Sequence, residues 1–231
     1  MTKSTQDQYI RWAGYLGLLG AILVGAGEFT LQYSQGADYA HGYGYFASIS
    51  KTRLTVGHYL SVLAAPLYAV GYWHLSKRLD PQNGWLGKTF FLVGAYAFII
   101  GAVWMGQRVF LALIVQSMAV QSMSAGADLH NLLDAFAAHN EPLVNVLRVA
   151  MVVCSGLWIF QILARESSYP KWMAIFSPAL MLGLIFALYI TVPTLGGLLI
   201  PNAMNVAHII VFSLSIWTGR RLTQDLGATD L

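Results

Sequence analysis

The chain has 231 residues, of which 57% are hydrophobic and 10% charged, against about 25% charged residues in soluble domains. That balance, with a mean hydropathy of +0.58, excludes water as the main solvent and predicts about six spans of about 20 apolar residues, with no room for a separate soluble domain. A formal charge of +3 does not point to nucleic acid, because the basic residues stand at the ends of apolar runs and report topology instead.

Apolar runs between charged or turn-forming stretches predict an all-α bundle with spans at residues 12–33, 54–75, 89–115, 144–163, 172–192 and 202–218. Lys3 and Arg11 before the first run, with Val24-Gly25-Ala26 inside it, imitate a signal peptide. The run continues past those small residues, which favours an uncleaved first span. Gly14, Gly17, Gly20, Gly25 and Gly27 on that span offer close helix packing. The loop that follows carries Tyr39, His41, Tyr43, Tyr45 and Phe46, the composition of an interfacial aromatic belt. Between the third and fourth spans, Leu129, Leu132, Leu133 and Phe136 recur at helical spacing and predict an outer amphipathic helix over residues 127–139, lying on the membrane. Cys154 is the single cysteine, so neither an internal disulfide nor a cysteine metal cluster is available.

Nine of the thirteen Lys and Arg residues fall on one side of this layout: Lys3, Arg11, Lys77, Arg78, Lys88, Arg165, Lys171, Arg220 and Arg221. By the positive-inside rule both termini are then cytoplasmic. The connections on the other side are longer and chemically richer, so function is expected to face outward.

The depth of the polar residues carries the functional expectation, since a charge at the bilayer centre costs about 2.5–3.5 kcal/mol even on lenient scales. Glu28, His58, Arg108, Arg148 and His208 come from five different spans and fall in their outer thirds, accompanied by Gln107, Asn145 and Asn205. Pairing Glu28 with one arginine leaves a second arginine over, which an anion complements. The expected site is therefore an outward-facing pocket for an anionic, lipid-like molecule. Arg108 and Arg148 are its anion clamps, Gln107, Asn145 and Asn205 its neutral ligand contacts, and Glu28, His58 and His208 its proton-transfer groups.

Two cofactors stand as alternatives: zinc on His58, His208 and Glu28, or a b-type haem between His58 and His208. His74, nearer the inner end, reads as an interfacial residue. Ser61, Ser155 and Ser177 lie in spans without an evident base, and no phosphate loop or nucleophile elbow occurs. A transporter, a channel subunit, or a structural subunit whose charges only lock helices are the rival readings. The inner halves of the spans look nearly bare of polar groups, which counts against transport.

The segments Gly25-Ala26-Gly27-Glu28-Phe29, Gly57-His58-Tyr59-Leu60, Ala65-Pro66-Leu67-Tyr68 and Gly71-Tyr72-Trp73-His74-Leu75 resemble an uncharacterised bacterial family of six-span membrane proteins. The resemblance covers mainly the first two spans. It implies a multi-pass protein of a bacterial inner membrane and supplies no catalytic residues. The chain departs from zinc-dependent hydrolases of the ceramidase and adiponectin-receptor type in span number and histidine placement.

Overall fold

A computed structural model of the chain describes residues 3–39, 41–120 and 123–228, in which every regular element is helical. α1 (Lys3–Gln32) leads through a 3-10 turn at Gly44–Ser48 into α2 (Lys51–Ala64) and α3 (Pro66–Leu79), followed by the long helices α4 (Trp85–Val120) and α5 (Met123–Ala164). A 3-10 turn at Lys171–Phe176 precedes the short α6 (Pro178–Thr191) and α7 (Pro193–Leu199). A last such turn, Ile200–Asn202, opens α8 (Ala203–Ala228).

Among the described residues five stretches are long and apolar enough to cross a membrane: Thr5–Gln32, Lys51–Leu79, Trp85–Val120, Ala127–Ala164 and Pro193–Gly219. The expected span at residues 172–192 is the exception. α6 has only 14 residues, about 21 Å at the helical rise against a hydrocarbon layer of about 30 Å. The chain reverses at Val192-Pro193, where the Leu195 and Gly196 amides both donate to the Val192 carbonyl. Gly196 then packs against the Tyr189 backbone, where no side chain would fit. α6 buries only Pro178 and Ile185 and so lies at the edge of the bundle.

Residues 127–139 also differ from expectation. They are helical but continue without a break through Pro142 into the fourth span. A proline removes one backbone donor from the ladder, and Leu133, Phe136 and Ala137 hold this stretch by packing on the core of that end. The second span, by contrast, is interrupted. Pro66 has no N–H to give, and the chain crosses Ala65 in a single turn with Ala65 bonded to Ser61 (3.1 Å) and Tyr68 to Ala65 (3.0 Å).

Small residues let the helices touch. A Cβ on Gly57 would come within 2.6 Å of the Gly27 carbonyl, and Gly17 and Gly71 meet backbone to backbone, which fastens α1 against α2 and α3. Tyr68, Tyr72, Phe90, Phe98, Trp158 and Phe212 fill the main core. Leu31, Phe46, Leu54, Met105 and Leu111 fill a second core beside the 33–50 loop. Large apolar side chains face outward as well, among them Ile22, Leu63, Leu92, Ile99 and Val149. A continuous apolar exterior of this kind is covered by lipid rather than water.

The connections sort into two ends. Ser168 N–H donates to the Arg78 carbonyl (3.0 Å) and Gln82 to Glu166 (3.0 Å), joining the α3–α4 turn to the segment after α5. This end carries Lys77, Arg78, Lys88, Arg165 and Lys171 and is called the basic end. At the opposite end the 33–50 loop is tied to α4 and α5.

Candidate functional site

The bundle turns the usual distribution inside out: its surface is apolar, and Glu28, Gln32, Arg108, Asn140, Asn205 and His208 are buried. Buried polar groups need partners, and following those partners divides the expected cluster into three parts.

The first part is built on Arg108. Its Nη1 donates to Glu141 Oε1 (3.1 Å), and its Nη2 donates to Gln32 Oε1 (3.1 Å) and to the Tyr45 hydroxyl (2.6 Å). Tyr43 donates to the same Glu141 oxygen (2.7 Å). The guanidinium lies 4.9 Å from the centre of the Trp104 ring, 5.2 Å from that of Tyr43 and 5.4 Å from that of Phe46. An arginine held by a carboxylate, a phenol, an amide and three ring faces is a closed ion pair. Burial, followed by the hydrogen bond and charge of Glu141, raises the Tyr43 phenol above its ordinary range; burial raises Tyr45 against the opposing pull of Arg108. Beside this pair Asn140 Nδ2 donates to the Trp104 carbonyl (3.2 Å) and to Gln107 Oε1 (3.0 Å), stapling α4 to α5.

The second part is built on Glu28, one turn before the end of α1. Its Oε2 accepts from Asn205 Nδ2, and Asn205 Oδ1 accepts from the Tyr68 hydroxyl (2.6 Å). Among the described residues no cation lies within ion-pair distance of Glu28. Arg108, committed to Glu141, reaches Glu28 only as a charge acting through space. Glu28, Ser61, Ala65, Trp104, Met105 and Asn205 help to line a cavity of about 40 Å³ beside the break at Pro66. One turn further along α8, His208 lies beneath this cluster. Its Nδ1 faces the Met204 carbonyl (2.7 Å), which only accepts, so the proton is on Nδ1 and Nε2 accepts from the Tyr72 hydroxyl (2.8 Å).

The third part is Arg148 with Asn145. Arg148 Nη1 donates to Asn145 Oδ1 (3.0 Å), and both residues are exposed on the outward face of α5, away from the other groups. His58 also stands apart: half-buried on α2, with Nδ1 enclosed and unpartnered.

The expected charge balance therefore changes. Glu28 is not the counter-ion of Arg108, which Glu141 already neutralises, and Arg148 faces outward, so no surplus positive charge gathers at Glu28. The expected zinc set is not assembled either: among the described residues no three His, Cys, Asp or Glu side chains come together. A haem between His58 and His208 would have to take a ring nitrogen of His208 from Tyr72 or Met204, since both nitrogens are engaged.

Three further residues of this region carried a sequence signal that depth alone overlooked. Gln32 is at i+4 from Glu28 on one helical face, Tyr72 is at i+4 from Tyr68, and Glu141 stands at the outer edge of its span opposite Arg108. Ser155, considered as a nucleophile, instead accepts from the Ala179 amide (2.8 Å) at the start of α6. Ser61 bonds back to the Gly57 carbonyl (2.8 Å) at the α1–α2 crossing.

No curated protein and no solved structure matches the chain. A family model does, and it takes in all the residues described above apart from the last turns of α8. The model described as a family of unknown function (DUF6796) matches residues 1–221, and the chain belongs to that family.

Proposed function

We propose that this is a multi-pass protein of a bacterial inner membrane with both termini in the cytoplasm, and that it takes up and releases a proton at Glu28 from the outer side. The topology rests on the gathering of Lys77, Arg78, Lys88, Arg165 and Lys171 at one end, to which α1 (Ile10 on His74) and α8 (Gly219 beside Arg78) both come, the short α6 carrying the chain away from that end between α5 and α8. The site rests on one observation: Glu28 is buried in a span, without an ion-pair partner among the described residues, on a small and largely apolar cavity whose other polar lining includes Ser61 and Asn205. Burying an unpaired carboxylate costs far more than burying the acid, so a carboxyl so placed works by carrying its proton. A cavity of about 40 Å³ has room for about one water molecule, which fits proton exchange better than an amphiphile's head group. The reading is tested by proton uptake of the purified protein in weakly buffered detergent as pH is lowered. The wild type takes up one proton more than Glu28→Gln; identical uptake by both proteins overturns it.

A second reading is carried by the exposed Arg148–Asn145 pair. With α5 ending at Ala164 on the basic end, Arg148 lies about 24 Å along the helix from that end, near the far edge of a hydrocarbon layer of about 30 Å. A guanidinium there meets the phosphate of an outer-leaflet lipid. The expected anionic amphiphile would accordingly sit on the surface of α5, with Arg108 buried away from it and Gln107 engaged by Asn140. Native mass spectrometry with anionic lipid tests this: retained lipid in the wild type and loss in Arg148→Gln supports the site, and equal retention removes it.

A further inference from the structure

At the basic end the bundle encloses a second set of polar groups that the Glu28 site does not use. His74, Tyr169 and Ser215 are buried to 1%, 5% and 0% exposure. His74 Nδ1 faces the Ile10 carbonyl (2.6 Å), which only accepts, so Nδ1 carries the proton. Nε2 must then accept from Ser215 Oγ (2.7 Å), and Ser215, having given its own proton, accepts from the Tyr169 hydroxyl (2.6 Å). The donors therefore run one way, from Tyr169 to Ser215 to His74. His74 is no interfacial residue, and this half of the bundle is not bare.

The set is in line with the Glu28 site. Asn205, His208, Phe212 and Ser215 follow one another along α8 at i, i+3, i+7 and i+10, the spacing of a single helical stripe; on α3 Tyr68 and Tyr72 share a face, and His74, on another side of that helix, reaches Ser215. From His208 to Ser215 the helical rise is about 10 Å. Across that interval stands Phe212, fully buried, with its ring 6.1 Å from His208 and 6.1 Å from Tyr68. The ring fits where α1 and α3 cross: a Cβ on Gly71 would come to 2.5 Å from Phe212 Cζ, and one on Gly17 to 2.9 Å from Cε1. Two bare backbones make the space for this one ring.

Resting on the proton-exchange reading of Glu28, we infer that the α1–α3–α8 seam is a proton route across the protein, with Glu28 at one mouth, Tyr169–Ser215–His74 at the other, and Phe212 as its plug. On the basic side a proton arrives at Tyr169 Oη as the tyrosine passes its own to Ser215 Oγ, and the serine passes its own to His74 Nε2. The net change is one proton on His74, with Tyr169 and Ser215 restored and Nδ1–H still on Ile10. On the other side Tyr72 stands in the same relation to His208, and Glu28 exchanges with the cavity. Passage between the two histidines requires the Phe212 ring to leave its notch and water to enter, which takes the proton from His74 Nε2 and gives one to His208 Nε2 as the Tyr72 hydroxyl turns to its other acceptor, Met151 Sδ (3.6 Å).

The test is proton flux into proteoliposomes with a trapped pH dye, driven by a potassium diffusion potential. Wild type and Phe212→Leu, which keeps the plug's bulk, should be slow. Phe212→Ala should be at least tenfold faster, with carboxyfluorescein still retained, and Phe212→Ala/Ser215→Ala and Phe212→Ala/Glu28→Gln should return to the wild-type rate. Phe212→Val replaces Phe212→Ala if the latter elutes as aggregate. A folded Phe212→Ala no faster than wild type overturns the route, as does a fast flux indifferent to Ser215. If Glu28→Gln abolishes proton uptake while Phe212→Ala is silent, the route fails and the Glu28 site stands; if uptake is unchanged in Glu28→Gln, the site itself fails.

Discussion

Replacing Glu141 by alanine leaves the Arg108 guanidinium enclosed without its counter-charge, and the structure sets the size of the effect. Arg108's side chain is only 6% exposed, whereas that of Glu141 is 41% exposed. A fully buried pair broken from one side costs about 3–5 kcal/mol, and a surface pair is worth at most about 1 kcal/mol. This pair lies between the two, and the Tyr43 hydroxyl loses the same acceptor, which places Glu141→Ala at about 2–3 kcal/mol. Glu141→Gln keeps an oxygen for both Arg108 and Tyr43 and loses only the charge, so it should cost about 1 kcal/mol. Thermal unfolding in detergent, followed by tryptophan fluorescence, ranks the three proteins. Because the guanidinium is shielded from solvent, most of the loss should persist at high salt. A Glu141→Ala protein as stable as wild type, or a loss that disappears in 1 M salt, refutes the closed ion pair.

Other outcomes follow from the same packing. Gly94→Ala drives a methyl into the Tyr72 ring; overpacking of this kind costs about 1–3 kcal/mol, and the same melting assay should show it, while Gly156→Ala, with open space around it, should be neutral. Asn205→Ala removes the donor to Glu28 and the acceptor of Tyr68 and should cost about 1–3 kcal/mol, a loss that a double-mutant cycle with Glu28→Gln should show to be non-additive. Alkaline pH should weaken the fold: the Tyr43 and Tyr45 phenols are raised by burial, so the unfolded chain releases its protons first, near pH of about 10. Their contribution is intact below that pH and is lost as pH rises through the folded values. Tyrosinate absorbance together with melting should show Tyr43→Phe less sensitive than wild type above that pH.

Much of the architecture was legible in the sequence because hydrophobic length is a strong signal. Each of the five stretches able to cross a membrane takes in or overlaps an apolar run of about 20 residues. The reading was weaker where proline acts. Pro193 and Pro201 divide residues 178–202 into a short α6, a turned-back α7 and a 3-10 turn ahead of the expected last span, whereas Pro142 leaves α5 continuous, and nothing local separates those outcomes. Of the expected residues, Glu28 and Asn205 meet, and His208 lies one turn along α8 on partners of its own. Arg148 shares their depth but faces outward on α5, a matter of helix rotation that depth does not report. Glu141 precedes Pro142 just outside the expected span, where depth assigns it no role although it stands opposite Arg108. The Tyr169–Ser215–His74 chain draws on three distant segments, one of them a connection between helices, and no spacing rule joins them.

The most direct test of the account is infrared spectroscopy of the protein in membranes, comparing wild type with Glu28→Gln for the carbonyl stretch of a protonated carboxylic acid. A band present in the wild type, lost in Glu28→Gln and retained in Glu141→Gln is the predicted result. A wild-type protein in which Glu28 contributes only carboxylate bands, at every pH where the fold holds, contradicts the claim that this buried side chain carries a proton.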